Sequence, residues 1–278
     1  MRPGRPSRTA QHNALFRALE QRLPSPLFRD PWARRFLRGR YRLASLLPAR
    51  AVARSIDRRW PGPRAAVAVR TRYIDDLLVR ALADGLEQVV ILGAGFDSRA
   101  YRTPGIERTQ VFEVDHPDTQ VAKRRRLGRP PSHVRFVPLR FGVEDPAVAL
   151  AAAGLRREAR TLFIWEGVTN YLDGQSVDAT LRWIAVAGSA LAFTYVDARI
   201  LDNSSSFASA AEDMAYVRRL GEPFTFGLDP ARLPAYLAER GLDLLEDRAL
   251  SDLARVYYGE RCPETSAYYH VVSARCRG

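Results

Sequence analysis

Three short stretches of this chain carry residues whose types and spacing could do chemistry together. The β-branched run Val89-Val90-Ile91-Leu92 ends in Gly93-Ala94-Gly95, and a second apolar run, Val111-Phe112-Glu113-Val114, ends in Asp115. The first pattern predicts a buried strand, a tight turn and then a helix. In doubly wound folds an acid about twenty residues beyond such a turn falls at the carboxyl end of the second strand, where it accepts hydrogen bonds from ribose hydroxyls. The glycine turn and Asp115 therefore outline a nucleoside-binding cleft. A third run, Thr161-Leu162-Phe163-Ile164-Trp165, turns off at Glu166-Gly167, which places Glu166 over the same crevice.

The kind of nucleoside depends on what the turn lacks. A dinucleotide turn reads G-x-G-x-x-G, with the last glycine allowing close helix packing under a pyrophosphate on the helix N-terminus. Here that position is Ser98, and Asp97 stands where the pyrophosphate would lie. An anion would be repelled there and an amino group attracted. S-adenosylmethionine, with a ribose, no phosphate and a zwitterionic methionine tail, fits this chemistry better than NAD.

The elements that must position these residues can be read along the chain. Residues 1–7, with Pro3, Gly4 and Pro6, are expected to be disordered. Ala14, Leu15, Ala18, Leu19 and Leu23 recur at helical spacing and are stopped by Pro24-Ser25-Pro26. Asp30-Pro31-Trp32 reads as a cap starting a helix through Phe36 and Leu37. Residues 41–60 read as one basic helical segment, and Ala65 to Ala83 as a helix feeding the first strand. Helices are expected over Pro117 to Leu127, Asp173 to Ala187 and Asp229 to Arg240. Further strands are expected at 133–139, 190–196, 242–245 and 268–273, the last two as a reversed hairpin. The polar segment 201–228, with Ser204-Ser205-Ser206 and a helix, is an insertion of the kind that shapes a substrate pocket.

Four ordered motifs carry a wider resemblance. Arg70-Thr71-Arg72-Tyr73-Ile74-Asp75-Asp76, then Leu92 through Arg102, then Phe112-Glu113-Val114-Asp115-His116-Pro117, then Trp165-Glu166-Gly167-Val168-Thr169-Asn170-Tyr171-Leu172 resemble successive motifs of the leucine carboxyl methyltransferase family. The likeness is to its bacterial branch of S-adenosylmethionine-dependent O-methyltransferases and runs from Thr9 to about Ala274. It implies a class I methyltransferase fold, a Rossmann-like α/β seven-stranded sheet, with an N-terminal helical cap over the cofactor cleft and an insertion between strands five and six. It also implies that Arg70 binds the methionine carboxylate, that Glu166 pairs with the methionine portion, and that His116-Pro117 belongs to the cofactor site. Arg72 lies two residues on and cannot share that helical face. The family usually has an acid followed by leucine after the third strand, against the adenine amino group; this chain has Arg140-Phe141. Arginine offers no acceptor, which leaves a backbone carbonyl, Phe141 packing, Glu144 or Asp145 for that role.

Composition narrows the rest. The 278 residues suffice for one domain. Its expected parts are a cap and lead-in helix (1–84), a cofactor-binding core (85–200), the insertion (201–228) and a closing helix and hairpin (229–278). No apolar run approaches the roughly eighteen residues of a membrane span, and the basic N-terminus lacks the apolar stretch of a secretory signal. Cys262 and Cys276 form neither a disulfide framework nor a metal set, so a reduced cytoplasmic setting is expected. The net charge of +12 comes almost wholly from arginine, Lys123 being the only lysine, and only Arg124-Arg125-Arg126 cluster. Nucleic acid is therefore not the expected partner. The reading that results is an S-adenosylmethionine-dependent O-methyltransferase acting on a carboxylate or hydroxyl of a small metabolite or peptide. An RNA-modifying methyltransferase and a non-catalytic nucleotide-binding protein are the alternatives, and Ser98 counts against an NAD oxidoreductase. A hydroxyl acceptor would need a base, for which His116, Asp197 and His270 are candidates and none is assigned. Tyr171 and Tyr195 are expected on the substrate side.

Overall fold

The apolar runs do become the strands of one sheet. In the computed structural model, which describes residues 8–185, 190–202, 207 and 210–277, the sheet has seven strands in the order β3-β2-β1-β4-β5-β7-β6. These are β1 (Gln88–Leu92), β2 (Gln110–Asp115), β3 (Val134–Pro138), β4 (Thr161–Trp165), β5 (Ala190–Val196), β6 (Leu242–Ala249) and β7 (Tyr269–Cys276). The first five are parallel, and β7 runs antiparallel between β5 and β6. β1 and β4 are buried along their whole length, because helices cover both faces of the sheet. On one face Val89, Ile91 and Ile164 pack with Ile74 and Leu78 of α4 (Pro63–Ala83) and Leu253 of α11 (Leu250–Tyr258). On the other, Val90, Phe112, Phe163 and Trp165 pack with Leu150 of α7 (Pro146–Ala152) and Leu181 of α8 (Gly174–Ile184).

The strand order reverses between β1 and β4, so the chain leaves these neighbouring strands in opposite directions across the sheet. Their carboxyl ends open a crevice at that switch point, and the glycine turn and Glu166-Gly167 both emerge there. A third layer covers it. Ala14, Leu15, Ala18 and Leu19 of α1 (Arg8–Glu20) pack with Ala33, Phe36 and Phe96, and the Phe36 and Phe96 rings stack with centroids 5.4 Å apart. Phe96 belongs to the glycine turn, so the N-terminal layer is anchored on the site itself.

Several elements differ from their sequence-based expectation. Asp30 does cap the backbone, its Oδ1 accepting from Trp32 and Ala33 N–H, but the capped segment is a single 3-10 turn, Ala33–Phe36. Residues 41–60 hold two helices, α2 (Gly39–Ala44) and α3 (Ala49–Arg59), because Pro48 lacks the N–H needed to continue the first. The helix after the glycine turn, α5 (Arg99–Arg102), is one turn long, and α6 (Pro117–Leu127) carries the longer crossover. α10 (Leu233–Ala238) is shorter than expected, whereas β6 and β7 are longer. These two strands are not a tight hairpin, since α11 joins them; its Leu250, Leu253, Ala254 and Tyr257 follow the helical period that marks an amphipathic helix. The insertion contains α9 (Ala210–Leu220). The expectations for residues 1–7, for Ser204-Ser205-Ser206 and for the helix end at 186–187 fall outside the described residues.

The only lysine is a core residue. Lys123 on α6 meets Glu113 on β2 at 2.8 Å, each side chain 1% exposed. Burial pushes the Glu113 carboxyl up, and the Lys123 charge opposes that. Lys123→Met is expected to cost about 3–5 kcal/mol in denaturant unfolding, because an uncompensated buried carboxylate remains. Lys123→Met with Glu113→Leu should recover most of it, and a single variant as stable as the wild type would contradict the pairing.

Candidate functional site

The crevice holds a cavity of about 510 Å³ between the strand ends and α1. At its floor the backbone N–H of Gly95 donates to Asp115 Oδ2, and the N–H of His116 donates to Oδ1 at 2.6 Å. Burial pushes the Asp115 carboxyl up, against these two donors. The turn needs its glycines. Gly93 has φ +69°, and a Cβ there would lie 2.3 Å from Val168 Cγ2. Gly167, φ +69°, would press a Cβ to 3.4 Å from Arg70 Nη2.

One wall is a chain of buried opposite charges. Arg70 Nε meets Glu166 Oε1 at 2.7 Å, and Arg99 Nη1 meets Glu166 Oε2 at 2.7 Å. Arg99 also reaches Asp97 at 2.5 Å and Asp75 at 2.7 Å. Asp75 pairs with Arg102 at 2.7 Å, and Arg102 faces Asp30, which Arg17 holds at 2.8 Å. Burial is the largest single influence on both carboxyls and works against their charges, but the cations together outweigh it, Arg99 with Arg70 at Glu166 and Arg99 with Arg17 and Lys123 at Asp97. Both carboxyls are held below the ordinary carboxylate range, Asp97 well below.

The structure separates the two candidate arginines, which the helical period keeps off a common face. Arg70 is buried in the wall, its guanidinium carbon 5.4 Å from the Tyr269 ring centroid. Arg72 points away and pairs with Asp76 at 2.9 Å, with 42% of its side chain exposed. Ser98 does not approach the cavity; its hydroxyl is buried and donates to Asp30 Oδ2 at 2.6 Å. The residue in place of the third glycine thus ties the turn to the N-terminal layer.

Arg70, Gly93, Ala94, Gly95, Asp97, Asp115, His116, Phe141, Glu166 and Tyr171 all line the cavity, as the sequence reading expects. Two residues do not. The Arg140 side chain is 55% exposed and faces Glu144 at 3.8 Å, outside the cavity wall. Its backbone N–H is held by Glu144 at 2.7 Å and Asp145 caps α7, so both acids are occupied locally. Tyr195 is fully buried and donates its hydroxyl to Asp247 at 2.8 Å, so it packs the core and is not on the substrate side. Of the three base candidates only His116 lines the cavity. Asp197 pairs with Arg199 at 2.6 Å, and His270 pairs with Asp247 at 2.9 Å.

Sequence reasoning missed several residues of the site. Thr9, Asn13 and Arg17 enter the cavity wall from one face of α1, and Glu222 enters after α9. Arg17 Nη2 donates to Phe96 O at 2.5 Å, which ties the helix to the turn. Arg99 was legible only as part of a motif, because nothing in its spacing shows that three carboxylates converge on it. The i, i+4 spacing of Thr9, Asn13 and Arg17, which puts three polar side chains on one face of α1, was the available signal.

Comparison with known proteins agrees with this geometry. The family described as leucine carboxyl methyltransferase matches residues 10–185. A Mycolicibacterium gilvum protein named as an S-adenosyl-L-methionine-dependent methyltransferase is 34% identical over 92% of this chain and 78% of its own. A Frankia alni protein of the same designation is 36% identical over 67% of each chain. A crystal structure of a DUF574 family protein from Streptomyces avermitilis superposes with a TM-score of 0.62 over 98% of both chains at 14% identity. A methyltransferase structure from Thermobifida fusca gives 0.60 over 99% of this chain and 97% of that one, at 13% identity, and both are similar in fold. The chain belongs to the leucine carboxyl methyltransferase family of S-adenosylmethionine-dependent enzymes.

Proposed function

We propose that this methyltransferase moves the methyl group of S-adenosylmethionine to an oxygen, a carboxylate or hydroxyl, of a small molecule or peptide. The observation that carries the reading is the juxtaposition in one cavity of Asp115, held by Gly95 and His116 N–H, with the Arg70–Glu166–Arg99–Asp97 wall. The residues fit the cofactor. The glycine turn leaves a cradle at Gly95, where a Cβ would stand 3.9 Å from Asp115 Oδ2. Asp97, Asp115, Glu166 and Glu222 line the cavity against Arg17 and Arg70, an acidic excess suited to a sulfonium cation and unsuited to a pyrophosphate.

Asp115 would accept from the ribose hydroxyls, Phe141 would lie against the adenine, and Asp97 with Glu166 would hold the methionine ammonium. Arg70 would take the methionine carboxylate, exchanging part of its contact with Glu166. S-adenosylmethionine supplies an electrophilic methyl on a sulfonium, displaced in line, so the chain contributes chiefly alignment and exclusion of water. The N-terminal cap supplies that exclusion through Thr9, Asn13 and Arg17. Asp197 and His270 are committed to partners outside the cavity. A carboxylate acceptor, ionised at neutral pH, asks for no base. The division into cap, core, insertion and closing segment belongs to the same proposal, with the cap and residues 201–228 on the acceptor side.

Arg70→Met is expected to weaken S-adenosylhomocysteine binding by about ten- to hundredfold, the range for a lost charge-assisted hydrogen bond. Arg140→Ala should leave that affinity unchanged, because the side chain lies outside the cavity. Equal effects of the two would contradict the assignment. The acceptor atom is tested with S-[methyl-³H]adenosylmethionine and a panel of aromatic and aliphatic acids, phenols and short peptides. A methyl ester releases volatile methanol in base, whereas an ether or amine retains its label. Label that stays on a nitrogen-bearing product alone would contradict oxygen transfer.

A further inference from the structure

A second chamber, larger than the cofactor cavity, lies against another face of α1. Its volume is about 1070 Å³, and its walls come from α1, α2, α3 and α9. The inner wall is aromatic. The His12 ring lies with centroid separations of 6.2 Å from Phe16, 5.1 Å from Tyr41, 6.0 Å from Trp60 and 5.9 Å from Tyr216. Trp60 and Tyr216 are 4.1 Å apart. The mouth is basic: Arg40, Arg59 and Arg219 are exposed there against the single acid Glu212. Among the described residues none of the three is ion-paired; Arg40 donates to the Tyr41 hydroxyl and Arg59 to Ser55.

Between the two spaces lies a smaller cavity, a throat of about 80 Å³, that shares wall residues with each. Thr9, Asn13, Arg70, Gly167 and Tyr171 line both the throat and the cofactor cavity, while His12, Phe16 and Trp60 line both the throat and the chamber. Trp60 is held in place because its Nε1 donates to Asp213, whose other oxygen accepts from the Tyr268 hydroxyl at 2.6 Å. Trp60 and Arg70 both line this small cavity.

We propose that this chamber is the acceptor site, and that the acceptor is a planar aromatic acid with a second anionic group. The proposal rests on the cofactor reading above. The rings lie among His12, Phe16, Trp60 and Tyr216, where offset and edge-on packing favours flat π-systems over alkyl chains. The distal anion meets Arg40, Arg59 and Arg219, which suit carboxylate or sulfonate oxygens. The reacting oxygen passes the throat as a carboxylate, already ionised at neutral pH. It forms the new O–CH3 bond as the C–S bond breaks, the electron pair of that bond going to sulfur, so no proton has to be removed in the step.

The test uses the full chain and two probes with the same ring systems, anionic 8-anilinonaphthalene-1-sulfonate and neutral N-phenyl-1-naphthylamine, read by their own emission. The sulfonate should bind the wild type about tenfold more tightly than the neutral probe. Ala215→Trp and Val52→Trp, which fill the chamber from opposite walls, should each weaken the sulfonate by at least about tenfold, while melting temperature and S-adenosylhomocysteine affinity stay at wild-type values. Arg40→Glu with Arg219→Glu should weaken the sulfonate and leave the neutral probe unchanged. Undiminished sulfonate binding by both filled variants would overturn the site. Equal affinity for the two probes would overturn the anionic end, and displacement of the sulfonate by decanoate more readily than by 2-naphthoate would overturn the aromatic class. If the wild type shows the expected probe pattern but does not bind S-adenosylhomocysteine, the acceptor role falls together with the cofactor reading, whereas loss of the pattern alone leaves that reading intact.

Discussion

Beneath the crevice at the strand ends, arginines and carboxylates alternate in a buried line from Arg70 through Glu166, Arg99, Asp75 and Arg102 to Asp30 and Arg17. The rest of the site depends on this line. Its members come from α4, from the turn after β4, from α5 and from the N-terminal layer, so the site's parts cannot shift independently. Removing any single charge would strand its neighbours in a dry environment, which costs far more than the pair itself contributes. The same line sets the electrostatics. Arg99, together with Arg17, Lys123 and Arg70, keeps Asp97 and Glu166 ionised despite their burial, so the cavity presents carboxylates without first binding a cation.

The N-terminal layer covers part of the crevice. Sheets of this order leave the carboxyl ends of β1 and β4 facing solvent unless something covers them. Here α1 does so, docked by the Phe36–Phe96 stack and by Arg17, which bridges Asp30 and the Phe96 carbonyl. One face of α1 then borders the cavity and another borders the aromatic chamber, so a single helix separates the two spaces and lines the throat between them.

Much of this was legible in the sequence because it is local. The glycine turn, Asp115 and Glu166 each come directly after an apolar run, and a parallel strand fixes what its last residue faces. Arg70 over Arg72 came from the motif and the helical period. The misses have a common physical cause, which is dependence on packing between distant segments. Tyr195 packs in the core because its hydroxyl donates to Asp247 on β6, two strands away in the sheet, a pairing that depends on strand order. Arg140 points to solvent because Glu144 draws the turn after β3 outward. α11 was hidden between two strands that read as a hairpin, and the convergence of Asp75, Asp97 and Glu166 on Arg99 joins residues up to 91 positions apart. The sequence marks Lys123 only as the single lysine, and its partner Glu113 becomes visible where α6 packs on β2.

The most direct test of the central claim is calorimetric titration of the purified protein and of Asp115→Ala with S-adenosylmethionine, S-adenosylhomocysteine and NAD. The account predicts micromolar binding of both sulfur ligands, its loss in Asp115→Ala, and no binding of NAD. Failure of the wild type to bind either sulfur ligand at millimolar concentration, or binding that survives in Asp115→Ala unchanged, would contradict it.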